Sequence, residues 1–416
     1  MPTPTWCCGA ECGRSSSVGV GAHWFSFGAN QSITATSPIT GARSLRYNPS
    51  ASSGSFQPNA SVAGDVSRCV IRIDTLPNAD TLIVWQGTTT GRAGAIFKQS
   101  DSKIYAGHEV AGVFLLGATG VSVTTATRYY IDVKVDQTGN TVDVQISGSA
   151  CGQYANAAIT GGAGSVTFFG GQSSITADIY YDDIVLSGTL ADYPFGDGYV
   201  NHFVPTSDGT HNVAGAADFR TSAGVDILNA DSGTTKASAL VDDVPLEAVT
   251  GAPTDYINLL APPNATDYVE MIFGPASGIG TPTAGPRAVE VIADVAQAGT
   301  GLGNMELRLN DNGTMGTIYT ATGVAGIVNG KYVRAHFADP PSAATAWNAN
   351  NDGSNGDFRD LRVRFGSPAA VDANPDQYLV SLMIEAEFAA VAATKAPPPN
   401  FQRLRPHYAY RRRISS

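Results

Sequence analysis

The run Trp347-Asn-Ala-Asn-Asn-Asp-Gly-Ser-Asn-Gly-Asp-Phe358 sets Asn348, Asn350 and Asp352 two residues apart, with Gly353 next. Closely spaced oxygen ligands followed by a glycine bend open many calcium loops. The twelfth position here is Arg359 rather than a bidentate glutamate. The expectation is a polar surface loop, with a calcium site as the alternative.

Three cysteines crowd the start, at Cys7, Cys8 and Cys12, and two more lie far off at Cys69 and Cys151. An odd count without regular spacing is no disulfide framework. Adding His23 to the first three supplies four ligands for zinc, but vicinal cysteines rarely hold one ion together. Reduced, partly buried thiols in a chain that folds in a cytoplasm are expected. No metal and no cofactor is assigned.

A glycosidase needs two carboxylates facing one cleft, commonly alternating along one strand. Asp182-Asp183 and Asp242-Asp243 are adjacent, so regular strands would point their members to opposite faces. Glu270 and Glu290 stand singly, and Asp132, Lys134 and Asp136 read as the solvated side of a hairpin. No Gly-x-Ser-x-Gly elbow or phosphate loop is present. His23, His108, His202, His211, His336 and His407 are scattered, each reading as a surface or packing histidine. No enzyme is expected.

The elements that would carry these residues are strands. The chain has 416 residues, 46 glycines, 23 prolines, 43% hydrophobic and only 15% charged residues, too few charges for a helical bundle. That hydrophobic share supplies a core and argues against disorder. No apolar run is long enough for a membrane helix. The opening residues carry no basic stretch before an apolar run, so no secretory leader is expected.

Ile131, Val133 and Val135 alternate with polar residues, as do Val142, Val144 and Ile146 after a glycine-containing turn. Period two on both sides of such a turn predicts a hairpin with one buried face. Further short strands are predicted at Val66–Ile73, Thr81–Trp85, Ala95–Lys98, Lys103–Ala106, Ser165–Phe169 and Ala177–Leu186. A second set begins after Gly188, Pro194, Gly196 and Gly198 break the pattern, and includes Tyr268–Phe273, Arg287–Val295 and Tyr378–Phe388. Asn312-Gly313 follows the predicted strand Met305–Leu309 as a tight turn.

The expected fold is all-β, two antiparallel, jelly-roll-like β-sandwiches with an extended basic arm. The first spans 1–190, a linker 191–204, the second 205–390, and a Pro-rich arm 391–416. From Lys395 onward there are six basic and no acidic residues, leaving 19 against 36 in the body, a net of −17. Lys395, Arg403, Arg405, Arg411, Arg412 and Arg413, with Tyr408 and Tyr410 between them, form a candidate docking arm. Its expected holder is an acidic groove on a neighbouring subunit. The acidic body disfavours nucleic acid.

Several segments occur in a telling order: Trp6 to Gly13, Ser44 to Pro49, the 128–148 hairpin, and Asp178-Ile-Tyr-Tyr-Asp-Asp-Ile-Val-Leu186. Asp192 to Val200, Pro205 to Asn212, Val241 to Leu246, Tyr256 to Asn258, Pro286 to Val291 and Leu361 to Gly366 continue it. Together they resemble tailed-bacteriophage virion structural proteins with an N-terminal laminin-G/concanavalin-like jelly roll, across about residues 6–388. The resemblance implies a minor tail or other virion-surface protein that assembles without chemistry in the host cytoplasm. Implied partners are other virion proteins and further copies of the chain, a trimer by analogy. A contribution to host-surface attachment through a glycan accompanies that reading. The alternatives are a carbohydrate-binding adhesin, stacking sugars on Tyr129-Tyr130 or Tyr180-Tyr181, and a head decoration protein.

Overall fold

The computed structural model describes residues 4–9, 30–36, 38–40, 43–52, 54–58, 65–161, 166–171, 174–213, 219–227, 237–241, 255–260, 266–273, 284–297, 303–324, 331–342, 346–349, 354–368 and 376–389. Strands dominate them, and the helical pieces are three-residue 3-10 turns such as Leu190–Asp192. No helix among the described residues is long and apolar enough to cross a membrane.

The first sandwich packs an eight-stranded sheet (sheet I) on a five-stranded one (sheet II). Sheet I takes Val66–Thr75, Arg128–Asp136, Thr141–Ile146 and Asp178–Ser187 among its strands. The predicted hairpin forms with Val133 opposite Val144. Its aliphatic residues enter one core with Cys69, Ile71, Phe97, Phe169 and Tyr181. Sheet II runs from Thr167–Phe169 through Thr81–Gly87, Gly91–Lys98 and Lys103–Val110 to Val113–Ser122.

The second sandwich pairs a six-stranded sheet (sheet III) with a five-stranded one (sheet IV) around a separate core. Sheet III is built on Ala288–Gln297 and Gln377–Ala389, and sheet IV on Tyr268–Phe273, Gly303–Asp311, Thr314–Val324 and Leu361–Gly366. The Asn312-Gly313 turn joins two of these strands, with φ of 45° and 89°. Both values lie in the left-handed region that a tight hairpin turn of this kind requires.

Two differences from expectation arise where the sequence breaks the period-two alternation. The stretch read as a linker, 191–204, contains the strand Gly198–Phe203, which pairs with Gln377–Ala389 and belongs to sheet III. Val113–Ser122 and Ser149–Ala155 are strands of the first sandwich that alternation did not mark.

Candidate functional site

The outer faces of sheets I and III meet in a seam of buried charge. On sheet I, Cys69, Ile71 and Ile73 point into the core, so Arg68 points out. Its side chain is wholly buried and donates from Nη1 to Glu387 Oε1 at 2.8 Å. Arg287 donates through Nε to Glu387 Oε2 at 2.6 Å and binds Oε1 through Nη2. It also donates from Nη1 to the Phe195 carbonyl at 3.0 Å. One carboxylate on sheet III thus holds two guanidinium groups, one from each sandwich.

Glu385 and Glu290 are direct cross-strand neighbours on sheet III. Like charges so placed repel unless partnered. Glu290 binds Arg334, and His336 Nδ1 lies 2.7 Å from its Oε1. Glu385 Oε1 accepts from the Gly9 amide at 3.1 Å, and Glu290 Oε1 from the Cys7 amide at 3.3 Å. The His336 Nε2 lies 2.8 Å from the Pro4 carbonyl. The N-terminal strand Trp6–Cys8, paired with Ile184–Leu186 of sheet I, is therefore clamped between the sandwiches. Cys7, Val66, Val185, Phe195 and Val200 form the apolar part of the seam.

The electrostatics fit a closed network. Burial works against the Arg68 charge, but the carboxylates of Glu387, Asp183 and Asp132 outweigh it and raise its pKa. Burial pushes Glu290 up, and Arg334 with His336 pulls it further down, so its pKa is lowered. Asp132 and Asp183 are pushed up to about 6, mainly by burial. Asp132 accepts from the Phe195 amide at 3.0 Å and Asp183 from the Val200 amide at 2.8 Å.

Three sequence expectations are corrected here. Asp182 and Asp183 do not take opposite faces, because a β-bulge between Asp182 and Val185 inserts an extra residue, with Asp183 at φ 48°. Both aspartates are buried, and Ile184 and Leu186 return to the core. Asp132 is not on a solvated face but buried in the seam at 3% exposure. Glu290 does not stand singly. Glu385 and Glu387, which sequence reasoning missed, alternate along one strand as a carboxylate pair would; the signal was the Glu-Ala-Glu spacing in Ile384 to Phe388.

Other singled-out residues are dispersed. Asn348 donates from Nδ2 to the Asn355 carbonyl at 3.1 Å, while Asn350 and Asp352 lie outside the described residues. No group of three or more His, Cys, Asp or Glu among the described residues could hold a metal. Cys7, Cys8, Cys69 and Cys151 are buried, and Cys12 and His23 lie outside the described residues. So do Asp242, Asp243 and the arm from Lys395 to Arg413 with Tyr408 and Tyr410. Tyr181 is in the core, and Tyr180 is 3% exposed beneath Arg72, whose guanidinium sits 4.4 Å from its ring centre. Neither offers a ring face to a sugar.

On the outer face of sheet IV, Glu270 receives Arg364 Nε at 2.6 Å and Asn310 Nδ2 at 2.8 Å, with Arg362 Nη1 at 3.3 Å. His211 Nδ1 accepts from the Glu270 amide at 3.0 Å, and its Nε2 lies 3.4 Å from Asp208 Oδ2.

No protein-family model matches this chain, and no curated protein matches it. Solved structures do. The tandem CBM22-1-CBM22-2 domain of Paenibacillus barcinonensis Xyn10C shares 12% identity, covers 92% of this chain and 97% of its own, and has a TM-score of 0.24. Domain 4 of AbnA, an extracellular arabinanase from Geobacillus stearothermophilus solved with arabinotriose, shares 11% identity over 40% of this chain and 81% of its own, TM-score 0.27. A glycosyl hydrolase family protein from Mycobacterium fortuitum shares 11% over 44% and 98%, TM-score 0.30.

Proposed function

We propose that this chain is a non-catalytic structural component of a tailed-phage virion, a minor tail or other surface protein, acting by protein–protein assembly. The ordered motifs from Trp6 to Gly366 support the virion reading through their resemblance to such proteins. The observation that carries the non-catalytic part is the occupation of Glu387. It alternates with Glu385 as a glycosidase pair would, yet its side chain is wholly buried and both its oxygens bind arginine. A carboxylate so held is neither free to attack a substrate nor placed beside one. The seam instead joins two sandwiches into one body, which suits a part that transmits contact between neighbours.

In this reading the partners are other virion proteins and further copies of the chain, in a trimer, with assembly in the host cytoplasm. The basic arm from Lys395 to Arg413 docks on a neighbouring subunit. Deleting residues 395–416 tests this. The truncated chain is expected to keep the circular dichroism and melting of the full chain while its incorporation into particles falls. Incorporation at the full-length level would refute the docking role.

A further inference from the structure

The outer face of sheet IV carries a cleft of about 210 Å³, lined in part by Asp267, Tyr268, Glu306, Arg308, Arg364 and Gly366. A missing side chain makes its floor. Gly366 sits between Tyr268 on one neighbouring strand and Glu306 on the other. A Cβ at this position would lie 3.4 Å from the Tyr268 Cβ, on the same side, and 2.5 Å from the Asp267 carbonyl oxygen. Glycine is thus the residue that fits, and it leaves a slot between a ring and a carboxylate.

Arginines flank the slot. Arg364 and Arg308 are direct cross-strand neighbours. Arg364 is anchored by Glu270 through Nε at 2.6 Å, and its guanidinium lies 3.9 Å from the Tyr268 ring centre. Arg308 has its Nη2 2.6 Å from Glu306 Oε1, and its side chain is 44% exposed. Among the described residues, the buried Arg308 Nε has no hydrogen-bond partner. The cleft therefore presents planar donors, a carboxylate and an aromatic ring from three neighbouring strands.

Planar groups of both signs beside a ring match the vicinal hydroxyls of a sugar, each of which donates and accepts. Arg308 is balanced by Glu306 and Arg364 by Glu270, so an anionic ligand would compete with carboxylates already in place. The volume lies below the roughly 300–1,000 Å³ of ordinary small-molecule pockets, which fits one ring at a chain end. We propose that this cleft binds the neutral terminal pyranose of a glycan, with Arg308 and Glu306 holding adjacent hydroxyls and the edge of Tyr268, one face of which carries Arg364, bordering the sugar ring. The inference does not depend on the virion reading.

The test is saturation-transfer NMR on the full chain with methyl glycosides of glucose, galactose, mannose and N-acetylglucosamine, and a sialic acid glycoside as the charged control. Transfer to at least one neutral glycoside is expected. Arg308→Met, which keeps the apolar stem, should weaken it by roughly tenfold or more, the loss of a hydrogen bond to a charged group. Tyr268→Leu should also weaken binding and serves alone if the first variant does not fold. Absence of transfer to every neutral glycoside overturns the proposal. So does binding unchanged in the folded variants, or binding confined to the sialic acid glycoside.

Discussion

Arg68 Nη1 and Glu387 Oε1 stand 2.8 Å apart across 319 residues of chain, and neither side chain is exposed. The two sandwiches are thus joined at a buried ion pair, where leaving either charge alone is costly. Removing one partner of a buried pair typically costs 3–5 kcal/mol. Arg68→Met should cost about 3 kcal/mol, at the lower end, because Arg287 still neutralises Glu387. Glu387→Gln should cost more, about 4–5 kcal/mol, since it strands two guanidinium groups. Urea unfolding of both variants measures this order, and a reversed order would show that the seam is not centred on Glu387.

Val133 tests the first core. It is 2% exposed and faces Val144 across the hairpin. Val133→Asp should destabilise the first sandwich by about 3 kcal/mol through an unpaired buried charge. A melting temperature unmoved by this substitution would contradict that placement.

The pH response of stability has two opposed parts. Asp132 and Asp183 have folded values raised to about 6 from 3.8. Between about pH 4 and 6 the folded chain then binds more protons than the unfolded one, so this contribution falls as pH rises. Glu290, Glu270 and Asp208 are lowered, so theirs is full above their ordinary values and is lost as pH falls. His202, lowered to about 4 by burial, and His108, also lowered by burial, likewise contribute stability that is lost as pH falls, and so oppose the two aspartates over the same range. Asp132→Asn removes one of the two contributions that fall with pH, so the slope of unfolding free energy between about pH 4 and 6 should become more positive. Urea titrations across that range decide it, and an unchanged slope would remove Asp132 as a contributor.

Burial raises the thiol pKa of Cys7 and Cys69, and that of Cys151 to about 11. Thiolate is the reactive form. These three cysteines should stay unlabelled by an aqueous alkylating reagent in the native protein and label fully in urea, read by peptide mass mapping. Native labelling of Cys7 would mean that the seam opens.

The all-β class and the main strands could be read from period two, as Ile131 to Val135 and Val142 to Ile146 illustrate. Asn312-Gly313 marked its turn by backbone preference alone. The seam could not be read in the same way. Its residues come from Pro4 to Gly9, Arg68, Asp183, Glu290, Arg334 and Glu387, and only the packing of one sheet on another brings them together. The Asp183 bulge shifted the parity that the strand argument relied on. The Gly366 slot is likewise made by a neighbour's absent side chain, which a linear reading sees only as a strand end.

The proposed role, assembly in a particle, is tested most directly by a reconstruction of purified virions. Both sandwiches, joined at the Arg68–Glu387 seam, should appear in repeated symmetric copies that touch other particle proteins. A particle lacking the chain, together with a monomer at high concentration by light scattering, would contradict it.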